Sequence, residues 1–119
     1  IRDRNYIEDN ELRALFQSAT LYLTPSLHEG FGRTILEAFA SQTPVMTSSI
    51  AAMPEVAGDA AVLVDPYSVA EMKSALFRLL TDADLRHTLA TKGLERVKAF
   101  TLEDCAKKTL KIYEKIASL

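Results

Sequence analysis

Short apolar runs alternate with amphipathic segments along the first half of the chain. Three runs bounded by turn residues predict strands, at 20–24, 45–48 and 61–64. Helical spacing of apolar residues and the placing of Pro54 and Gly58 predict one helix before the first strand, at 11–18, and two between the strands, at 34–41 and 53–57. Strands that alternate with helices favour parallel pairing, so this half predicts an α/β layer. In its first helix we expect a buried stripe of Leu12, Leu15, Phe16 and Ala19.

The second half of the chain reads as helix throughout. Ser68 and Glu71 have the spacing of a capping box, and the polar runs 81–84 and 101–104 open two further helices. The helix that begins after Ser68 is expected to face inward with Val69, Met72, Leu76, Leu79 and Leu80. One face of the last helix carries Cys105, Thr109, Ile112, Tyr113 and Ile116, and we expect Cys105 and Tyr113 in the core.

These elements predict one α/β unit, with an α/β part at 1–66 and C-terminal helices at 67–119. Three strands form a small sheet, about half of what a doubly wound domain has. A parallel sheet needs helices on both faces. In such sheets ligands bind beyond the carboxyl ends of the strands, where the loop at 29–33 falls.

Composition excludes several classes of protein. The 119 residues, 48% of them hydrophobic, can supply one globular core. Fourteen basic against 16 acidic residues give a net charge of −2, which offers no long-range attraction for nucleic acid or an anionic membrane. The single cysteine excludes a disulfide framework and a cysteine metal cluster. No segment reaches the roughly 18 consecutive apolar residues of a membrane span. We therefore expect a cytoplasmic protein.

Two acids bracket a glycine loop in residues 29–37, directly before an apolar helix. The first amides of a helix lack intrahelical partners, and the helix dipole adds partial positive charge, so an anion is favoured there. Gly30 and Gly32 let the backbone turn sharply and let a ligand approach without meeting a Cβ atom. A carboxylate repels a bare phosphate but accepts hydrogen bonds from the neighbouring hydroxyls of a sugar. The run therefore favours a nucleotide-sugar as ligand.

The same run also has an ordinary structural interpretation. Glycine turns before helices are common, glutamate usually faces water, and a lone glycine loop is a weak signal. Glu37 favours the functional hypothesis, because it interrupts the apolar segment 35–40, where an unpaired buried acid would be costly. A dinucleotide-binding dehydrogenase is disfavoured, because the third glycine is missing and no acid stands about 20 residues further on in a ribose-binding context.

The linked motifs of this chain resemble a known family. They are Pro-Ser-Leu-His-Glu-Gly-Phe-Gly at 25–32, Leu-Glu-Ala at 36–38, Thr-Pro-Val at 43–45 and Pro-Glu-Val-Ala-Gly at 54–58. Their order and spacing are similar to those of the retaining glycosyltransferases with the GT-B fold, which include mannosyl-, glucosyl- and sucrose-related transferases. The likeness continues through 60–66 and the final helices. It implies two facing Rossmann-like domains, of which this chain is the later half of the C-terminal, donor-binding one.

The resemblance also assigns roles to residues. It implies that Glu29 is the catalytic residue, the first acid of the family's paired-glutamate motif, which contacts donor-sugar hydroxyls near the reacting centre, and that Glu37, the second acid, holds the ribose hydroxyls. Between them, Gly30, Phe31, Gly32, Arg33 and Thr34 bind the donor, with the amides of 31–34 on the sugar or diphosphate. Many relatives have Leu-Pro where this chain has Arg33 and Thr34. Arg33 either adds its charge to the diphosphate or is a solvated, structural arginine.

The resemblance implies a nucleoside-diphosphate sugar as donor, no cofactor and no metal. The acceptor is a sugar, a glycan or a lipid bound through an N-terminal domain, and a lipid acceptor would bring peripheral membrane association. The basic residues that neutralise the diphosphate in this family lie upstream of these 119 residues. We therefore expect the isolated chain to bind a donor weakly and to transfer nothing. The alternative hypothesis is a noncatalytic nucleotide-binding or regulatory module of the same fold.

Overall fold

The computed structural model describes residues 6–119 and confirms the predicted order of helices and strands. Its elements are α1 (Asp9–Ser18), β1 (Tyr22–Thr24), α2 (Arg33–Ala40), β2 (Val45–Ser48), α3 (Met53–Ala57), β3 (Ala61–Val64), α4 (Val69–Thr81), α5 (Ala83–Val97) and α6 (Leu102–Ala117). Two bounds differ from the prediction by two residues, since α1 begins earlier and β1 begins later. Residues 1–5, with which the predicted α/β part begins, lie outside the described residues.

The three strands form a parallel sheet in the order β1-β2-β3. Every residue of the central strand β2 is buried. Its neighbouring residues Val45 and Met46 belong to two separate hydrophobic clusters, as expected when successive side chains point to opposite faces. Phe39 of α2 belongs to the first cluster, whereas Leu79 of α4 and Leu89 of α5 belong to the second. Helices therefore cover both faces, as the α/β prediction requires.

Helix α5 lies directly against α2. A Cβ atom at Gly93 would be only 2.6 Å from Cδ1 of Phe39, so this glycine permits the close approach of the two helices. Near the start of α5, Arg86 donates two hydrogen bonds from Nη1 to the carbonyls of Leu79 and Leu80 at the end of α4, at 2.7 and 2.9 Å. These contacts fix α5 between α2 and α4.

The predicted burial of several apolar residues is wrong. No residue of α6 is buried; Tyr113 and Ile116 are exposed, and so is Cys105, which was expected in the core. Val69 and Leu80 of α4 are also exposed, because that helix packs on its cluster through Met72, Ala75 and Leu79. In α1 only Phe16 is buried, while Leu15 and Ala19 face outward. Helical spacing identifies the apolar face of a helix but not whether another element covers it.

Within residues 6–119, none of the helices has the length and apolar character that a membrane span requires.

Candidate functional site

The glycine loop, residues 25–32, leads from the carboxyl end of β1 into α2. Two hydroxyls of β2 hold its beginning. Oγ1 of Thr47 donates to the carbonyl of Thr24 at 3.0 Å, and Oγ of Ser48 donates to the carbonyl of Ser26 at 2.6 Å. Both donors are fully buried, so the start of the loop is tied to the central strand.

Glu29 lies half-buried in this loop and has a fixed orientation. Oγ of Ser26 donates to Oε1 of Glu29 at 3.1 Å, and the same hydroxyl lies 3.2 Å from Oγ1 of Thr24. Within residues 6–119, no group donates to the second carboxylate oxygen. The arrangement therefore holds one oxygen of Glu29 and leaves the other able to accept a hydrogen bond from a ligand hydroxyl.

The two glycines of the loop have different surroundings. Gly32 is buried and adopts a left-handed conformation, with φ 90° and ψ 44°, at the point where the chain enters α2. Gly30 is exposed, and an added Cβ atom there would meet nothing within 4 Å. Gly32 thus makes the turn, since other residues rarely adopt its φ, whereas Gly30 keeps the space beside the loop open.

The N-terminus of α2 has no side-chain cap. The amide of Ile35 donates to the carbonyl of Gly32 at 3.0 Å, but those of Arg33 and Thr34 have no acceptor in the described part of the chain. Free amides at the positive end of a helix dipole favour an anion. This is the geometry that the sequence predicts for the diphosphate.

Arg33 and Glu37 form an ion pair on the surface of α2. Nε of Arg33 lies 3.0 Å from Oε1 of Glu37, one helical turn further along. The arginine side chain is 84% exposed and that of Glu37 is 31% exposed. Glu37 is therefore not the unpaired buried acid that the apolar segment suggested. Contact of Arg33 with a diphosphate stays a prediction.

A cleft of about 330 Å³ runs between α1 and α2. Its lining includes both members of this ion pair and consists of Asp9, Leu12, Arg13, Phe16, Arg33, Glu37, Ala40 and Ser41. Glu29 and the loop glycines do not line it. The structure thus places Glu37 beside a cavity and Glu29 in the neighbouring loop, with the uncapped end of α2 between them in sequence.

Several residues of this region were missed by sequence reasoning. Ser26 orients Glu29, and Thr47 and Ser48 hold the loop. Polar residues at the ends of apolar strands were the available signal. No cluster of His, Cys, Asp and Glu suited to a metal ion occurs among the described residues. The predicted independence from metals and cofactors stays a prediction.

The sequence pattern of the family described as "Glycosyl transferases group 1" matches residues 4–96. The match extends over most of the chain and includes the glycine loop and all three strands. The chain belongs to this family.

Two curated relatives are mannosyltransferases by name. The O-antigen chain mannosyltransferase B of Escherichia coli is 35% identical over 114 residues, which cover 96% of this chain and 30% of that protein. The MMP alpha-(1->4)-mannosyltransferase of Mycolicibacterium hassiacum is 40% identical over 113 residues, which cover 92% of this chain and 28% of that protein. The chain thus spans less than a third of either relative.

Among solved structures, the sucrose-phosphate synthase of Thermosynechococcus elongatus is similar, with a TM-score of 0.78 and 30% identity. The match covers 93% of this chain and 29% of the synthase. Together with the three parallel strands, this likeness confirms the predicted partial Rossmann-like α/β fold of a GT-B glycosyltransferase.

Proposed function

We propose that this chain is the donor-binding segment of a retaining glycosyltransferase, which moves a hexose from a nucleoside-diphosphate sugar to an acceptor hydroxyl. The observation that carries the proposal is the uncapped N-terminus of α2, entered through Gly32 and flanked by Glu29 and Glu37. Family membership supports it. The names of the two curated relatives make mannose the first sugar to test.

Each part of the site has a distinct task in such a reaction. Departure of the nucleoside diphosphate develops negative charge, which the free amides of Arg33 and Thr34 stabilise. The carboxylate of Glu29, held by Ser26, accepts hydrogen bonds from the donor sugar and orients it for attack. Glu37, beside the cleft, accepts hydrogen bonds from the ribose hydroxyls. The open space at Gly30 admits the sugar without a steric clash.

The proposal extends to what the chain does not contain. The acceptor, a sugar, glycan or lipid, would bind to another domain of the whole protein. The whole protein would act in the cytoplasm. It would associate with a membrane surface if the acceptor is a lipid. The isolated chain would bind donor weakly and transfer nothing.

The test is sugar transfer by the protein that carries this chain, with guanosine-diphosphate mannose and uridine-diphosphate glucose as donors. Glu29→Gln and Glu37→Gln should each lower kcat/KM about 100-fold, since each removes charged hydrogen bonds that the reacting donor needs. Glu103→Gln is the matched control, because Glu103 forms an exposed ion pair with Lys107 on α6. Its turnover should stay within about twofold of the parent, as expected for a surface pair.

Thermal unfolding of the same variants separates loss of function from loss of fold. Unchanged transfer in both Glu29→Gln and Glu37→Gln would contradict the proposal. Donor binding by the whole protein without any transfer would instead favour a noncatalytic nucleotide-binding or regulatory module.

A further inference from the structure

Phe31, the aromatic residue of the glycine loop, has a partner far along the chain. Its ring packs edge to face on Phe100, with centroids 5.9 Å apart and an interplanar angle of 73°. The guanidinium carbon of Arg96 lies 5.1 Å from the centroid of the Phe100 ring. These three side chains, Phe31, Arg96 and Phe100, form a stack that we call the aromatic brace.

Arg96 connects the brace to α3. Its Nε donates to the carbonyl of Val56 at 3.1 Å, and its Nη2 donates to that of Glu55 at 2.5 Å. Carbonyls in the last turn of a helix lack intrahelical partners and carry partial negative charge, which a guanidinium satisfies. Gly58, which follows α3, has φ 56°, and an added Cβ atom there would lie 3.2 Å from Nε of Arg96. The end of α3 thus leaves room for this arginine.

The aromatic brace is attached to α5, which packs closely on α2. Close packing of Gly93 on Phe39 holds α5 against α2, the helix whose N-terminus forms the candidate anion site. Arg96 lies three residues after Gly93, and Phe100 follows just beyond the end of α5. A ring fixed in this way limits where Phe31, and with it the backbone between Glu29 and Arg33, can move.

We propose that Arg96 and Phe100 are positioning residues for donor binding, which hold the glycine loop in its ligand-ready form through Phe31. This inference rests on the proposed function. In the described part of the chain Arg96 makes no hydrogen bond, ion pair or ring contact with the loop; it orients Phe100 by a cation–π contact, and Phe100 orients Phe31.

Arg86 provides an internal comparison on the same helix. It also donates to two carbonyls at the C-terminus of a neighbouring helix, those of Leu79 and Leu80 in α4. In the described part of the chain it has no aromatic partner, and no hydrogen bond or ion pair joins α4, the helix it reaches, to the glycine loop. Loss of either arginine should destabilise the fold, but only loss of Arg96 should release the loop.

The experiment compares Arg96→Gln with Arg86→Gln in the protein that carries this chain. In Arg96→Gln we expect faster amide hydrogen exchange in a peptide covering 27–34, and a donor KM raised about three- to tenfold, the range for one lost aromatic contact. The KM for the acceptor should not change. In Arg86→Gln both the exchange of this peptide and the donor KM should equal those of the parent.

Phe100 supplies a second pair of variants, independent of how well Arg96→Gln folds. Phe100→Leu removes the ring and should reproduce the faster exchange and raised donor KM. Phe100→Tyr keeps a ring, so its amide exchange in the 27–34 peptide and its donor KM should equal those of the parent. Equal exchange in Arg96→Gln and Arg86→Gln, or in Phe100→Leu and Phe100→Tyr, would overturn the inference.

The Glu37→Gln variant distinguishes a failure of the positioning role from a failure of the proposed function. If Glu37→Gln loses transfer while Arg96→Gln behaves as Arg86→Gln does, the proposed function stands and the positioning role is overturned. If both Glu29→Gln and Glu37→Gln keep full transfer, the proposed function has failed, and a positioning role in donor binding fails with it.

Discussion

The N-terminus of α2 differs from those of α4, α5 and α6. In each of these three helices a side chain accepts a hydrogen bond from an amide of the first turn: Ser68 from Glu71, Asp82 from Leu85 and Thr101 from Asp104. Helix α2 begins instead at a left-handed glycine that offers no side chain. Helices α4, α5 and α6 each satisfy one of their free amides internally, as capped helices do. Helix α2 leaves its amides to be satisfied by water or a ligand.

The largest expected effect comes from replacing Gly32, the residue at the start of α2, by alanine. A side chain at φ 90° is strained, and its Cβ atom would lie 3.2 Å from Cδ1 of Ile35. We expect Gly32→Ala to lower the free energy of unfolding by about 1–2 kcal/mol. Transfer should fall more than about tenfold, because the amides that we assign to the diphosphate would turn away. Chemical denaturation and steady-state kinetics measure the two effects.

Gly30→Ala is the matched control for that substitution. An added Cβ atom there has open space on every side, so stability should change by less than about 0.5 kcal/mol. Donor KM should still rise, because the methyl group occupies space that we assign to the sugar. Equal losses of stability in Gly30→Ala and Gly32→Ala would contradict the different tasks given to the two glycines.

A second test concerns the loop side of the site. Ser26→Ala removes the hydrogen bond to Oε1 of Glu29 and leaves the carboxylate free to rotate. A hydrogen bond to a charged group contributes roughly 1.5 kcal/mol or more, so we expect kcat to fall about tenfold. Ser18→Ala is the control, since within residues 6–119 its exposed hydroxyl donates to the carbonyl of Leu15 in α1 and to no other group. If both variants keep the parent kcat, Ser26 does not orient Glu29.

The capped helices give the converse test. Ser68→Ala and Asp82→Ala each remove an N-cap and should lower the free energy of unfolding by about 1 kcal/mol. Among the described residues neither cap hydrogen-bonds to the glycine loop, so donor KM should equal that of the parent. A raised donor KM in either variant would show that the N-termini of α4 and α5 are coupled to the site. It would contradict the assignment of the donor to the N-terminus of α2 alone.

The contrast between these helix ends was partly visible in the sequence. Caps and turns depend on residues a few positions apart, so the capping box at Ser68 and the glycine turn before α2 could be predicted. The bounds of β2, α3 and β3 agree with the structure for the same reason. The predicted positions of Glu29 and Glu37, one in the loop and one on α2, also agree, whereas their roles stay predictions.

Contacts between distant residues could not be predicted in this way. Arg96 bonds carbonyls 40 and 41 positions earlier in the chain, and no local pattern identifies such a partner. The same limit explains why the predicted burial of residues in α6 is wrong. Its apolar residues do lie on one face, but no local rule says which part of a protein covers that face.

The smallest expected effect comes from the ion pair beside the aromatic brace. Nζ of Lys92 lies 2.7 Å from Oδ2 of Asp59; its hydrogen bond, and then its charge, lower the pKa of Asp59 below the ordinary value of 3.8. A lowered pKa adds stability above pH 3.8 that is lost as the pH falls through the folded-state value. Asp59→Asn should therefore melt slightly below the parent at pH 7, with the difference closing at acidic pH. Because both side chains are largely exposed, salt should weaken the effect, and donor KM should not change. A difference in melting temperature that widens on acidification would contradict this sign.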